Sequence, residues 1–208
     1  MAEDFLRRYT TLPSLIYMLS EKKLTLLDPG SWDDKNDSHF LEQYKLKRKL
    51  KTVLALCFSM ASETYHHWSI FAAGSAGICI QFKRKELLDA VEGYKAVRHG
   101  EVEYLLLRTA KGLKLKVRKL PFTKRYPFGD EKEYRIIFES DKHEKSSHDI
   151  PIPLSSISRI NLSPWLPEAL EEHVKNTLWA IRACSDLEIS RSTLIGNERW
   201  KQMGEEAV

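Results

Sequence analysis

Apolar residues along the chain follow two periods. Where they recur every three or four positions they predict helices. In the segment 10–23, Leu12, Leu15, Ile16 and Leu19 share one face and Pro13 stands near the start, where its missing N–H costs nothing. Further helices are predicted over 38–51, over 62–74 with the spacing carried by Tyr65, Trp68 and Phe71 or Ala72, over 83–94, and from Pro167 to about Cys184. Where apolar residues alternate or run together over a few positions, strands are predicted. These cover 4–10, the stretch from Lys23 to a stop at Pro29-Gly30, the buried run 52–60, then 77–82, 102–108 and 134–140, with one or two short strands in 152–163 and a last one in 187–194. Residues 110–125 fit neither period.

Strands and helices are mixed, and the helices concentrate early and late. The expected fold is therefore α+β, a mixed and mostly antiparallel sheet flanked by helices rather than a doubly wound parallel sheet. The expected organisation is a core domain over 1–165 with a C-terminal helical extension, 166–208, packed on it. With 208 residues, 42% hydrophobic and 30% charged, the composition is that of a soluble globular protein. The longest apolar run, VLALCF at 53–58, falls far short of the roughly 20 residues of a bilayer span, and the opening MAEDFLRR does not have the shape of a signal peptide. A cytoplasmic protein with no membrane partner is expected. Cys57, Cys79 and Cys184 form no CxxC pair, which argues against a disulfide framework and a zinc site and marks them as core residues.

The net charge of +4 is unevenly spread. KLKRKLK at 45–51 and the basic residues within 111–125 carry much of it, which reads first as solvated surface and second as a contact for a polyanion.

The sharpest local feature is GDEKEYRI at 129–136. In an extended chain Glu131, Glu133 and Arg135 point to one face. Like charges roughly 7 Å apart repel by about 2 kcal/mol at an effective dielectric near 20, so the row requires solvent or a neutralising cation, for which Arg135 is available. Its plainest reading is a charged strand edge. Other motifs carry less. Neighbouring His66 and His67 diverge by about 100° on a helix and do not converge on one ion. WDDKND at 32–37 lacks the spaced ligands of an EF-hand and reads as a loop fixed by Asx turns, so no metal is expected. The chain contains no GxGxxG, GxxxxGK[ST] or GxSxG string, which removes dinucleotide-fold, P-loop and hydrolase readings. Ser59 follows the buried strand LALCF where the chain leaves the sheet, a position that commonly presents functional groups.

Four strings, RYTT, WDDKND, CFSMASETYHHWSIFAAGSAGICIQF and EKEYRIIF, resemble successive motifs of the bacterial domain-of-unknown-function family 2971 across residues 5–165. That name implies no activity. The order of the motifs is also similar, more distantly, to that of ADP-ribosyltransferases with an Arg-Ser-Glu core. This resemblance implies NAD as substrate, with Arg8, or Arg7 beside it, and Tyr9 on the first strand holding it. Ser59 fills the serine position as a catalytic and cofactor-binding residue that would hold the first strand and the cofactor in register, although Cys57-Phe58-Ser59 stands where the superfamily has Ser-Thr-Ser. Glu131 and Glu133 fill the Glu-x-Glu position as catalytic carboxylates, Tyr65 or Trp68 would stack on nicotinamide, and Arg135 completes the binding set. It further implies transfer to a macromolecule, a nucleic acid or protein, or to a nucleotide, and a role in phage defence or as a toxin. The alternative is a non-catalytic nucleic-acid-binding or interaction module in which the EKEYR row is structural.

Overall fold

The computed structural model describes residues 4–110 and 112–207. The first half of the chain holds β1 (Phe5–Thr11), α1 (Leu12–Glu21), β2 (Lys23–Leu27), α2 (Lys35–Lys47), β3 (Thr52–Ser59), α3 (Tyr65–Phe71), β4 (Gly77–Lys83) and α4 (Arg84–Glu92). The second half holds β5 (Val97–Glu101), β6 (Glu103–Leu105), α5 (Leu107–Ala110), β7 (Thr123–Arg125), β8 (Glu133–Ser140), β9 (Ser147–Pro151), β10 (Ile157–Leu162), α6 (Glu168–Trp179), β11 (Ile189–Arg191) and α7 (Glu198–Glu205). Nine strands form one sheet in the order β11-β10-β4-β1-β3-β2-β9, with β8 pairing β3 and β5 pairing β8. Among its described strands only β10 and β11 pair in parallel, and β6 and β7 form a separate parallel pair. The fold is thus α+β with a mostly antiparallel sheet flanked by helices, as the sequence pattern predicts. Among the described residues no helix is long and apolar enough to cross a membrane.

Strand β3 is apolar on both faces because both are covered. Leu54, Leu56 and Phe58 join the large core under α1 and α4, which β8 extends with Tyr134, Ile136 and Phe138. Val53 and Ala55 face the other way, into a smaller core built by Leu41 and Tyr44 of α2, Phe122 and Ile137. Alternation then puts Cys57 and Ser59 of β3, and Glu133 and Arg135 of β8, on the α2 side of the sheet. Their register is direct, with Cys57 opposite Arg135 and Ser59 opposite Glu133.

The other edge of β3 is shared. β2 meets it at Leu27–Ala55 and β1 meets it at Arg7–Ser59. Past Arg7, β1 stays with β4 through to Thr11–Gly77, so the sheet opens between β1 and β3 beside Arg8, Tyr9, Cys57 and Phe58. This split positions the candidate site.

Several elements depart from the sequence pattern. α2 begins at Lys35 and ends at Lys47, so the acidic loop supplies its first turn. The expected strand 102–108 is three residues of β6 followed by α5, and residues 154–156 form a short 3-10 turn before β10. The strands β5 and β9 and the helix α7 are not visible in the periodicity at all: VRHGE and SHDIP are polar edge strands, and α7 buries no residue. The segment after 166 supplies β11 to the sheet as well as helices, and Leu178, Cys184 and Ile189 lie in the large core.

Candidate active site

Where the sheet opens, a cavity of about 470 Å³ lies between β1, β3, the start of α2, α3 and the turn before β8. Arg7, Arg8 and Tyr9 line one wall, Cys57 and Ser59 the floor, and Lys124, Glu131 and Glu133 the opposite wall. Trp32, Phe71 and Phe128 add aromatic surface, and Asp33, Asp34 and Asp37 line the side toward α2. Both arginines of β1 reach it. Arg7 donates to the Ala61 carbonyl at 2.9 Å, and Arg8 reaches toward the Cys57 carbonyl at 3.4 Å across the gap. Burial lowers the pKa of Arg8 to about 10, still charged at neutral pH.

The acidic wall is a closed charge network. Arg135, fully buried, donates to both carboxylate oxygens of Asp37 at 3.0 and 2.7 Å, to Glu133 Oε1 at 2.8 Å, and to the Pro121 carbonyl at 2.8 Å, while Trp32 lies 5.0 Å from its guanidinium. Lys124 sits on the other side, 2.6 Å from Glu131 Oε2, 3.4 Å from Glu133 Oε2 and 3.7 Å from Asp37 Oδ2. Three carboxylates against two cations leave one net negative charge in the wall. A buried ion costs several kcal/mol unless paired, so this pairing is what allows Glu133 to be 4% exposed. Although burial works against its charge, Glu133 and Asp37 keep Arg135 protonated well above its ordinary value. Burial would by itself raise Glu133, but Arg135 and Lys124 outweigh it and hold that carboxyl below its ordinary value. For Glu131 burial dominates, with Lys124 opposing, and the pKa is raised.

The two glutamates do not form the extended row read from the sequence. Residues Tyr126–Glu131 are a 3-10 turn with Pro127 and Gly129 inside it, and Lys132 takes the left-handed conformation at φ 42°. The strand starts only at Glu133. Pro and Gly in the preceding turn were the signal for this break. The carboxylates nonetheless meet on Lys124, because the left-handed residue turns the chain back toward the cavity.

Ser59 holds that turn in place. Its hydroxyl donates to the Glu131 carbonyl at 2.7 Å, accepts from the Ala61 amide at 3.0 Å, and lies 3.4 Å from His67 Nε2. The His67 Nδ1 in turn bonds Thr64, the N-cap of α3. The serine, histidine and threonine are strung like a nucleophile relay, but the serine proton is committed to a backbone carbonyl. Ser59 therefore positions Glu131. Burial lowers the pKa of His67 and raises that of Cys57 well above its ordinary value, so the imidazole is neutral and the thiol protonated.

Of the residues singled out from sequence, Arg8, Tyr9, Ser59, Glu131 and Glu133 come together, and Arg7 joins them. Tyr65, Trp68 and Arg135 do not line the cavity. Tyr65 is exposed and packs edge-on to Trp165, whereas Trp68 is fully buried, donating to Glu63 at 2.6 Å with its edge against Tyr9. Arg135 lies behind Glu133 and acts on the carboxylate. Sequence reasoning missed Asp37 and Lys124. Asp37 was hidden in a string read as turns, a reading that does hold for Asp34, whose Oδ1 caps α2 by accepting from the amides of Asn36 and Asp37 at 3.0 and 3.3 Å. Lys124 was counted with the basic surface of 111–125, yet its side chain is 9% exposed and paired. Lys111 of that segment lies outside the described residues.

No family model matches the chain, and no curated protein does. Among solved structures, DarT of Thermus sp. 2.9 in complex with NAD+ is similar at a TM-score of 0.47 and 10% identity, over 92% of this chain and 96% of that one. The same protein in complex with ADP-ribosylated ssDNA gives a TM-score of 0.48 and 10% identity, over 92% of this chain and 95% of that one. Its complex with carba-NAD+ gives 0.47 and 10%, over 92% and 97%.

Proposed function

We propose that the chain is an NAD-dependent ADP-ribosyltransferase. The observation that carries this reading is that one cavity is lined by two arginines at one wall and, across from them, by two carboxylates in unlike electrostatic states. The reaction breaks the bond between ribose C1′ and the nicotinamide nitrogen, the electron pair leaving with nicotinamide, and forms a bond from C1′ to an acceptor atom that gives up a proton. Positive charge develops on the ribose, as in glycoside cleavage, and a carboxylate beside it stabilises that charge.

Glu133 suits this task. Both its oxygens face cations and its pKa is depressed, so it stays ionised. Glu131 suits the other. Its Oε2 is held by Lys124, its Oε1 has no partner among the described residues, and its pKa is raised, as a base that must accept the acceptor's proton requires. Paired carboxylates whose environments drive their pKa values apart are a general mark of divided acid-base roles. Arg8 and Arg7 supply the fork that pairs with a pyrophosphate, and Tyr9 supplies an aromatic face.

The acceptor is a macromolecule, and one surface favours a polyanionic one. Leu50, Leu115 and Val117 pack into the same small core, which draws the end of α2 and residues 112–119 together. Lys47, Arg48, Lys49 and Lys51 are thereby grouped with Lys114, Lys116 and Arg118, all exposed and without a carboxylate partner among the described residues. Binding of RNA or DNA here would weaken steeply with salt.

Purified protein should bind NAD by calorimetry, release nicotinamide and pass labelled ADP-ribose to an acceptor in cell lysate. Glu133→Gln should keep NAD binding and lose at least about 100-fold in transfer. A folded protein with neither binding nor transfer, or a Glu133→Gln variant at full rate, would overturn the reading. A toxin or defence role further predicts growth arrest on expression of the wild type and none with Glu133→Gln.

A further inference from the structure

Resting on the transferase reading, the geometry points to Lys124 as the positioning residue that sets Glu131 and Glu133 apart, by clamping one oxygen of each carboxylate while leaving Glu131 Oε1 open to the acceptor. The residue sits mid-way along β7, paired with Tyr104 of β6, and nothing in the motif order includes it. Its ammonium donates to Glu131 at 2.6 Å and to Glu133 at 3.4 Å and stands 3.7 Å from Asp37 as an ion pair, with the Phe128 ring centred 4.8 Å away.

Two acidic side chains brought to one wall would otherwise share a proton, because like charges in a buried site cannot both stay ionised. Arg135 cannot prevent this alone, since it reaches Glu133 and Asp37 but makes no contact with Glu131 among the described residues. Lys124 is the cation common to both glutamates. The other groups facing the pair are Asp37 from α2, Arg135 from β8 and Cys57 from β3. Tyr104 from β6 accepts from the Glu133 amide at 2.8 Å, His67 from α3 lies behind Ser59, and Arg7 and Arg8 stand across the cavity. Among the described residues Lys124 alone contacts both carboxylates. The glutamates in turn raise the Lys124 pKa above its ordinary value, overcoming burial.

The test compares wild type with Lys124→Met and Lys124→Arg. Loss of an opposite charge at this range raises a carboxyl pKa by about 1 unit or more. The acid limb of kcat against pH should therefore move to higher pH by that amount in Lys124→Met, with KM for NAD changed far less than kcat, and Lys124→Arg should restore the limb. In parallel, carbon-13 NMR of labelled glutamate carboxyls, assigned through Glu131→Gln and Glu133→Gln, should show both titrations moving upward in Lys124→Met without any NAD present. If the carboxyl titrations move but the wild type does not cleave NAD, the transferase reading fails and the clamp stands. If NAD is cleaved but neither limb nor titration moves, the clamp fails. Should Lys124→Met not fold, nitrogen-15 NMR of wild-type lysines decides: one ammonium should stay charged well past the midpoint of the rest, and uniform titration overturns the inference.

Discussion

At the scale of a residue, Arg135 shows how tightly stability and site are joined. It is the largest buried cation, and its donors are divided between Asp37 of α2 and Glu133 of its own strand. Removing one partner of a buried pair costs about 3–5 kcal/mol, because the other charge is left uncompensated. Arg135→Met leaves Asp37 and Glu133 with Lys124 as their one remaining cation among the described residues, so it should lose on the order of that much in urea unfolding, and Asp37→Leu added to it should recover part of the loss. An additive double mutant would mean that the two side chains do not share their charge. Lysine at 135 should not substitute, since a point charge cannot meet the two oxygens of Asp37 and Glu133 together. The neutralising role of Arg135 was legible in sequence, being two residues from Glu133. Its pairing with Asp37 was not, because 98 residues separate them and only the fold brings them together.

At the scale of elements, legibility followed burial. The strands β3, β4 and β8 and the helices α1 and α4 stand out because each buries apolar residues at its own period. β5 and β9 were hidden because their structure comes from pairing with β8 and β2, not from side-chain pattern. The junction of α3 and β4 carries a constraint of the same non-local kind. A Cβ placed on Gly77 would lie 2.0 Å from the Ala72 carbonyl oxygen, a backbone atom that cannot rotate away. Gly77 also accepts from the Ser163 amide at 2.9 Å, which fixes its position from the other side. Gly77→Ala should therefore cost about 1–3 kcal/mol, the range of overpacked sites, and lower the melting temperature accordingly. Because α3 carries Ile70 and Phe71 to the cavity, the variant should, on the proposed transferase reading, also raise KM for NAD, whereas Gly93→Ala, with open space around its Cβ, should alter neither.

At the scale of the whole molecule, the motif order was enough to nominate five residues that the fold does gather: Arg8 and Tyr9 lie where β1 parts from β3, and Ser59, Glu131 and Glu133 lie at strand ends or in the turn beside that split. What it could not supply was the second cation of the acidic wall, a lysine indistinguishable in sequence from its exposed neighbours.

Burial on this scale also sets the response to pH. His67, His99 and His148, on three different elements, are each pushed by burial below the ordinary histidine value. An unfolded chain titrates them near 6.5, so between the folded values and about 6.5 the unfolded state binds more protons and stability rises with pH. Their contribution is complete above about 6.5 and is lost as pH falls toward the folded values. Glu131 and Asp37, both raised by burial, work in the opposite sense above the ordinary carboxylate values of about 4, as two groups against three. The melting temperature should therefore climb as pH rises from the acid side toward about 6.5. His148 offers the control, because it stacks on Phe138 at 3.9 Å, far from the cavity lining. His148→Gln should flatten part of the climb while leaving the pH dependence of NAD cleavage where it was. A wild-type melting temperature that is level across this range would mean that the three imidazoles take up protons equally in the folded and unfolded chain, and that their burial carries no electrostatic cost.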